Sequence, residues 1–216
     1  MSLPDPADAK VRRLPRGRMT AAQRREQLIE VSRGIFAERG YDGTSIEEVA
    51  ARAEVSKPVV YEHFGGKEGL YAVVVDREVR RLLDMMHATL TAGHPRELLE
   101  QAAFTLLDYI EQSSDGFRIL VRDSPLGSAN GSYVSIISDV ASRVEHILAA
   151  EFAARGFDTE MAPMYAQMLV GMVGTTGQWW LDARNPSKEV VAANLVNLAW
   201  YGLSGMQKDP RLRSAH

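Results

Sequence analysis

The sequence predicts an all-α fold of about nine helices, divided into a small three-helix head and a larger helical body. Three observations carry this. Apolar residues recur at i, i+3, i+4 and i+7 along most of the chain, no segment sustains period-two alternation, and helix stop and start signals separate the periodic runs. A sheet would need the alternation that is missing, and a solenoid would need an internal repeat, of which there is none.

The elements follow in order. Residues 1–18 hold Pro4, Pro6, Pro15 and Gly17 among basic residues and no apolar run of signal-peptide length, so they are expected to form a flexible basic arm. From Thr20, Leu28, Val31 and Ile35 mark a first helix that Gly40 stops. Ile46, Val49, Ala50 and Ala53 mark a short second helix, capped by Thr44 with Glu47 or by Ser45 with Glu48. Ser56 caps a third, with Pro58 tolerated in its first turn and Phe64 near its end. Gly65 and Gly66 precede a longer fourth helix from Lys67 to about Leu90. In the body, His94 and Pro95 open a fifth helix carrying Leu98, Leu99, Ala102, Leu106 and Ile110, and a short sixth spans Asp115–Arg122. Turn-forming residues fill 124–132, a seventh helix runs from Val134 to Arg155, an eighth from Pro163 to about Leu181, and a ninth from Ser187 to about Leu203.

With 216 residues, 45% hydrophobic and 25% charged, the chain has the composition of a soluble globular protein and no span of ~18 consecutive apolar residues that could cross a bilayer. The absence of cysteine excludes disulfides, thiolate metal sites and cysteine nucleophiles, and it fits a cytoplasmic location. The net charge of −3 hides an asymmetry. Lys10, Arg12, Arg13, Arg16, Arg18, Arg24 and Arg25 place positive charge on residues 10–25 with no acid among them, whereas residues 82–216 carry an acidic excess. One end of such a chain is suited to a polyanion.

Two short helices around a tight connection at 53–56 have the spacing of a helix-turn-helix, whose second helix enters the major groove. Val55, Val60 and Phe64 can face inward, which leaves Ser56, Lys57, Pro58, Val59, Tyr61, Glu62 and His63 for DNA. Lys57 can donate to guanine, Pro58 and Val59 can touch a thymine methyl, and Tyr61 and His63 can reach phosphates.

The stretch GYDGTSIEEVAARAEVSKPVVYEHFGGKEGLY, residues 40–71, resembles the N-terminal domain of TetR-family transcriptional regulators at matching spacing, and the helical body has the family's length. The resemblance implies that residues 19–66 form the DNA-binding head and residues 67–216 an effector-binding and dimerisation domain. Carried over by position, it gives Thr44 a phosphate contact, Lys57, Pro58 and Val59 a role in reading bases, and Tyr61, His63 and Lys67 a grip on the backbone. Arg12, Arg13, Arg16 and Arg18 are possible arm contacts to the minor groove. Two positions depart from the family pattern: Glu54 stands where glycine is usual in the turn, which forces a residue with a side chain toward a left-handed conformation, and Gly66 replaces the usual Ser or Asn before Lys67.

For the body, the resemblance implies a pocket for a small, largely apolar effector. Met86, Phe104, Tyr109 and Phe117 are its expected lining, with Arg118, Arg122, His146, Trp179 and Trp180 to orient the ligand. Gly171, Gly174 and Gly177 on the eighth helix, with Val191, Asn194, Leu195, Leu198 and Tyr201 on the ninth, are the expected homodimer interface. A dimer places its two recognition helices on successive major grooves, so the DNA partner is expected to be a near-palindromic operator, and repression follows by occlusion of the promoter. Five scattered histidines lack metal-ligand spacing, and no nucleophile elbow, P-loop or dinucleotide fingerprint is present, so no catalytic residue, metal or cofactor is expected. The alternative is a helical interaction module, or a regulator without a small-molecule effector.

Overall fold

The computed structural model describes residues 19–89, 93–121 and 132–211, with 132–137 described by backbone alone. Among these residues there are nine α-helices and no strand: α1 (Ala21–Arg39), α2 (Ile46–Arg52), α3 (Lys57–Phe64), α4 (Lys67–Thr89), α5 (Pro95–Gln112), α6 (Ser114–Val121), α7 (Ser132–Arg155), α8 (Ala162–Ala183) and α9 (Lys188–Ser204). No described helix is long and apolar enough to cross a membrane. The expected basic arm and the 124–131 turn lie outside the described residues.

Local chemistry sets the head. Thr20 starts α1 with a reciprocal capping box: its Oγ1 accepts from the Gln23 amide at 3.2 Å, and Gln23 accepts from the Thr20 amide at 2.9 Å. Of the two candidate caps for α2, Ser45 serves, its Oγ accepting from the Glu48 amide at 3.2 Å. Gly65, at φ 73°, ends α3 in the left-handed region. Leu28, Ile35, Phe36, Val49, Ala53 and Val60 meet in one core, to which α4 adds Leu70, Tyr71, Val74 and Val75 and α6 adds Ile119. The head is therefore closed by side chains from beyond residue 66.

The turn between α2 and α3 bears out the expected departure at Glu54, which sits at φ 54°. A left-handed residue there lets the Val55 amide reach back to the Ala50 carbonyl at 2.9 Å, while Val55 packs on the core. A Cβ at such a φ costs on the order of 1 kcal/mol. Glu54→Gly is therefore expected to raise the thermal midpoint by about 2–4 °C in a melting experiment.

In the body, α5 is central, packing on α4, α6, α8 and α9. The core joins Leu82 and Met86 of α4 with Leu106, Leu107, Tyr109 and Ile110 of α5, Phe117 and Leu120 of α6, Trp180 and Leu181 of α8, and Val191, Ala192, Leu195 and Val196 of α9. Gly177 leaves room for α5 side chains, since a Cβ there would lie 2.9 Å from Ile110 Cδ1.

Candidate nucleic-acid interface and ligand cavity

On α3, Lys57, Pro58, Tyr61 and Glu62 are exposed and share one face, whereas Val60 is fully buried and Val59, His63 and Phe64 are half-buried. Tyr61 stands 53% exposed, a large aromatic that packing would otherwise hide. Ser56 begins the helix without a side-chain capping hydrogen bond, leaving its hydroxyl at the positive end of the helix. A buried valine anchors the helix and four polar or flat side chains face out.

Two expected backbone contacts have another occupation. Thr44 is buried, and its hydroxyl donates to the Gly40 carbonyl at 2.6 Å, so it shapes the turn after α1 rather than meeting solvent. Lys67 donates from Nζ to the carbonyls of Tyr41 at 3.0 Å and Thr44 at 3.1 Å, with Nζ 4.2 Å from the centroid of the Tyr41 ring. It braces the start of α4 against the α1–α2 turn. Lys57 is also engaged, with Nζ hydrogen-bonded to the Glu47 carboxylate, and that bond together with the Glu47 backbone amide holds the carboxyl below its usual range. Of the basic run, Arg24 and Arg25 lie on α1, the latter 5.0 Å over the Phe64 ring; Arg12, Arg13, Arg16 and Arg18 fall outside the described residues.

The body holds a half-open cavity of about 650 Å³, within the range of small-molecule sites. Leu82 and Met86 of α4, Leu98, Ala102 and Leu106 of α5, Val144 and Leu148 of α7, and Val173 and Gly174 of α8 form its apolar walls. Arg143 and His146, both exposed, and Glu151 supply polar groups among the lining residues.

Among the expected pocket residues that are described, Met86 and His146 line this cavity and the others do not. Tyr109, Phe117 and Trp180 belong to the solid core, Trp180 donating from Nε1 to the Pro186 carbonyl at 2.8 Å. Phe104 and Trp179 point to solvent, Arg118 pairs with Asp182 at 2.6 Å, and Arg122 lies outside the described residues. Most of the residues missed were aliphatic, and periodicity marks an aliphatic stripe in the same way whether it faces a neighbour or a void.

A similar sorting applies to the expected dimer residues. Gly174, Gly177, Val191 and Leu195 are buried within the subunit, where Gly177 meets α5 and the two aliphatics fill the core. Asn194, Leu198 and Tyr201 face outward, and Gly171 is half-exposed, with nothing within 4 Å of where its Cβ would stand. Met164, Met168, Trp179 and Val190 join them, so α8 and α9 present an apolar outer surface on which Trp179 is 55% and Leu198 and Tyr201 each 66% exposed.

Between head and body lies a polar node that pattern reading did not find. Glu78 is 2% exposed; it accepts from Arg33 Nε at 2.7 Å, from the Tyr109 hydroxyl at 2.6 Å and from Ser113 Oγ at 3.3 Å. Burial first, and then the adjacent carboxylate, pushes the Tyr109 phenol above its usual range, so it remains a donor at ordinary pH. The node ties α1 to α4 and α5. Next to it, Arg184 at the end of α8 donates to the Ile110 carbonyl at 3.1 Å and to Ser114 Oγ at 2.6 Å. One signal was legible: Glu78 falls on the apolar stripe of Tyr71, Val74, Val75, Leu82 and Met86, where an acid must find partners.

A helix-turn-helix head whose second short helix is exposed, joined to a larger helical body with an apolar cavity, is the architecture of a DNA-binding transcriptional regulator. Residues 28–74 match the sequence family of bacterial regulatory proteins of the tetR type, and residues 95–202 match the tetracyclin repressor-like C-terminal domain. The HTH-type transcriptional activator FasR of Mycolicibacterium smegmatis is 31% identical over 195 residues, covering 89% of this chain and 86% of that protein. The chain belongs to the TetR family of transcriptional regulators, which are not enzymes. The crystal structure of a TetR-like regulator from Rhodococcus sp. RHA1 superposes with a TM-score of 0.71 at 25% identity, covering 88% of this chain and all of that one. AibR, solved with isovaleryl coenzyme A and operator DNA, shares the fold with a TM-score of 0.67 at 18% identity, covering 81% of this chain and 97% of that one.

Proposed function

We propose that the protein is a homodimeric repressor that binds a near-palindromic operator through Ser56, Lys57, Pro58 and Tyr61, and that a small, largely apolar effector in the cavity releases it. The observation that carries this is the shared use of α4. Its first turns supply Leu70, Tyr71 and Val74 to the head's core, and its later turns supply Leu82 and Met86 to the cavity wall. A ligand that binds one position of α4 more tightly than another shifts the orientation of the head by that difference in affinity.

The aliphatic walls favour an acyl chain over a charged or flat ligand, and isovaleryl coenzyme A in AibR is an acyl thioester in a protein of the same fold. His146 and Arg143, polar side chains among the lining residues, are the candidates to meet the polar end. Ala102→Trp, set between Leu98 and Leu106, is expected to fill the cavity and abolish the response to acyl-coenzyme A esters while leaving operator affinity in place, as read by a gel-shift titration. An unchanged response in that variant would remove the cavity from the mechanism.

The outward faces of α8 and α9 support the dimer, because a monomer has little reason to expose so many large apolar side chains on two helices. Leu198→Glu is expected to convert the dimer to a monomer in light scattering and to weaken operator binding by more than tenfold, since one head then binds alone. Selection of DNA fragments by the purified protein tests the whole reading: the recovered sites should contain inverted half-sites about 34–36 Å apart. Recovery of no enriched sequence overturns it. FasR, a relative over most of the chain, is named an activator, so a promoter reporter is expected to show repression where the site overlaps the promoter and activation where it lies upstream.

A further inference from the structure

The groove-facing surface of the head carries an acid as well as a base. The sequence IEEV, residues 46–49, opens α2 with two consecutive carboxylates, and the structure sends them in opposite directions. Glu48 turns into the scaffold, pairing with Arg39 at 2.9 Å and Arg52 at 3.0 Å, and is shielded there. Glu47 turns outward to Lys57 at the first position of α3, and both side chains are more than half exposed. The cation best placed to meet DNA is thus tethered to an anion on the same surface.

A tethered lysine treats two kinds of DNA differently. Non-specific sequence offers mainly phosphates on the groove rim rather than base edges on its floor, and a Lys57 drawn to one strands the Glu47 carboxylate beside a polyanion. A guanine edge at the right position offers acceptors to an ammonium with three donors, so Lys57 can bond the base and keep Glu47. We infer that Glu47 is a specificity-determining positioning residue: its ion pair aims Lys57 at a base edge and withholds it from the phosphates of non-specific DNA. This rests on the proposed operator-binding function.

The test is Glu47→Gln, in the full-length protein, against the selected operator and against a scrambled duplex of equal length across a salt series. Release of Lys57 is expected to tighten scrambled binding about threefold to tenfold and to steepen its slope of log K against log salt by about 0.9, the contribution of one further phosphate contact. Operator affinity should change less, so the specificity ratio falls. The same substitution in a Lys57→Gln background separates tethering from plain repulsion, because with no cation to release the slope should not steepen. An unchanged slope and ratio in the single variant, or an equal change in both backgrounds, overturns the inference. A wild type that shows no preference for any sequence instead overturns the operator-binding reading itself, which is a different result from the same titrations. Melting curves of the variants should overlay that of the wild type, since both residues lie on the surface.

Discussion

Arg33→Met is expected to destabilise the fold by about 3–5 kcal/mol, the cost of leaving a buried carboxylate without its cation. Glu78 is held by packing as well as by its hydrogen bonds. It is 2% exposed, and a Cβ on Gly116 would lie 1.9 Å from its Oε2, so α6 presses directly on the carboxylate. After the substitution only the hydroxyls of Tyr109 and Ser113 remain among its side-chain donors, and neutral donors do not balance a charge at that depth. In a thermal melt the midpoint should fall by roughly 6–20 °C, taking about 2–4 °C per kcal/mol for a chain of this size. Combining Arg33→Met with Glu78→Leu, Tyr109→Phe and Ser113→Ala should recover most of the loss, because apolar side chains then replace the ion pair and both of its hydroxyl partners without orphaned groups. If Arg33→Met alone melts with the wild type, the node does not bear charge in the way its distances indicate.

Lys57→Ala together with Tyr61→Ala is expected to reduce operator affinity to the level of non-specific DNA, about 10³-fold or more at moderate salt. Both side chains are exposed, so stability should stay within about 0.5 kcal/mol of the parent, and melting curves separate loss of contact from loss of fold. Lys67→Ala provides the contrast. Its ammonium holds two carbonyls of the α1–α2 turn and lies over the Tyr41 ring, so its removal should lower the melting midpoint as well as DNA affinity. A double variant that still selects the operator sequence would show that α3 is not the reading helix.

Much of this was legible before any coordinate. The helices fell where apolar spacing and glycine stops placed them, and Glu54 took the positive φ that its place in the turn demands, because both follow from local chemistry. The functional surfaces were less legible, and the reason is geometric. Val191 and Leu195 share α9 with Asn194, Leu198 and Tyr201, and a helical stripe gives composition without saying which side a fifth helix will cover. Phe117 and Tyr109 are as aromatic as any ligand contact, yet α4, α5 and α6 close completely around them. Arg33 and Glu78 stand 45 residues apart, a pairing that only tertiary structure makes. Thr44 and Lys67 occupy positions that the family associates with the DNA backbone, and here each is also a strut of the turn behind that surface.

Ile119 of α6, seated in the core of the head, sets a rule for exchanging parts between relatives. A graft that transplants residues 19–66 alone would place an open hydrophobic seam where Leu70, Tyr71, Val74 and Ile119 had been. A workable chimera must carry the first half of α4 with the head and must meet a recipient whose α6 offers an aliphatic side chain at the same point. The seam between head and body is therefore a matched pair of surfaces, and workable exchanges are limited to those in which both surfaces change together.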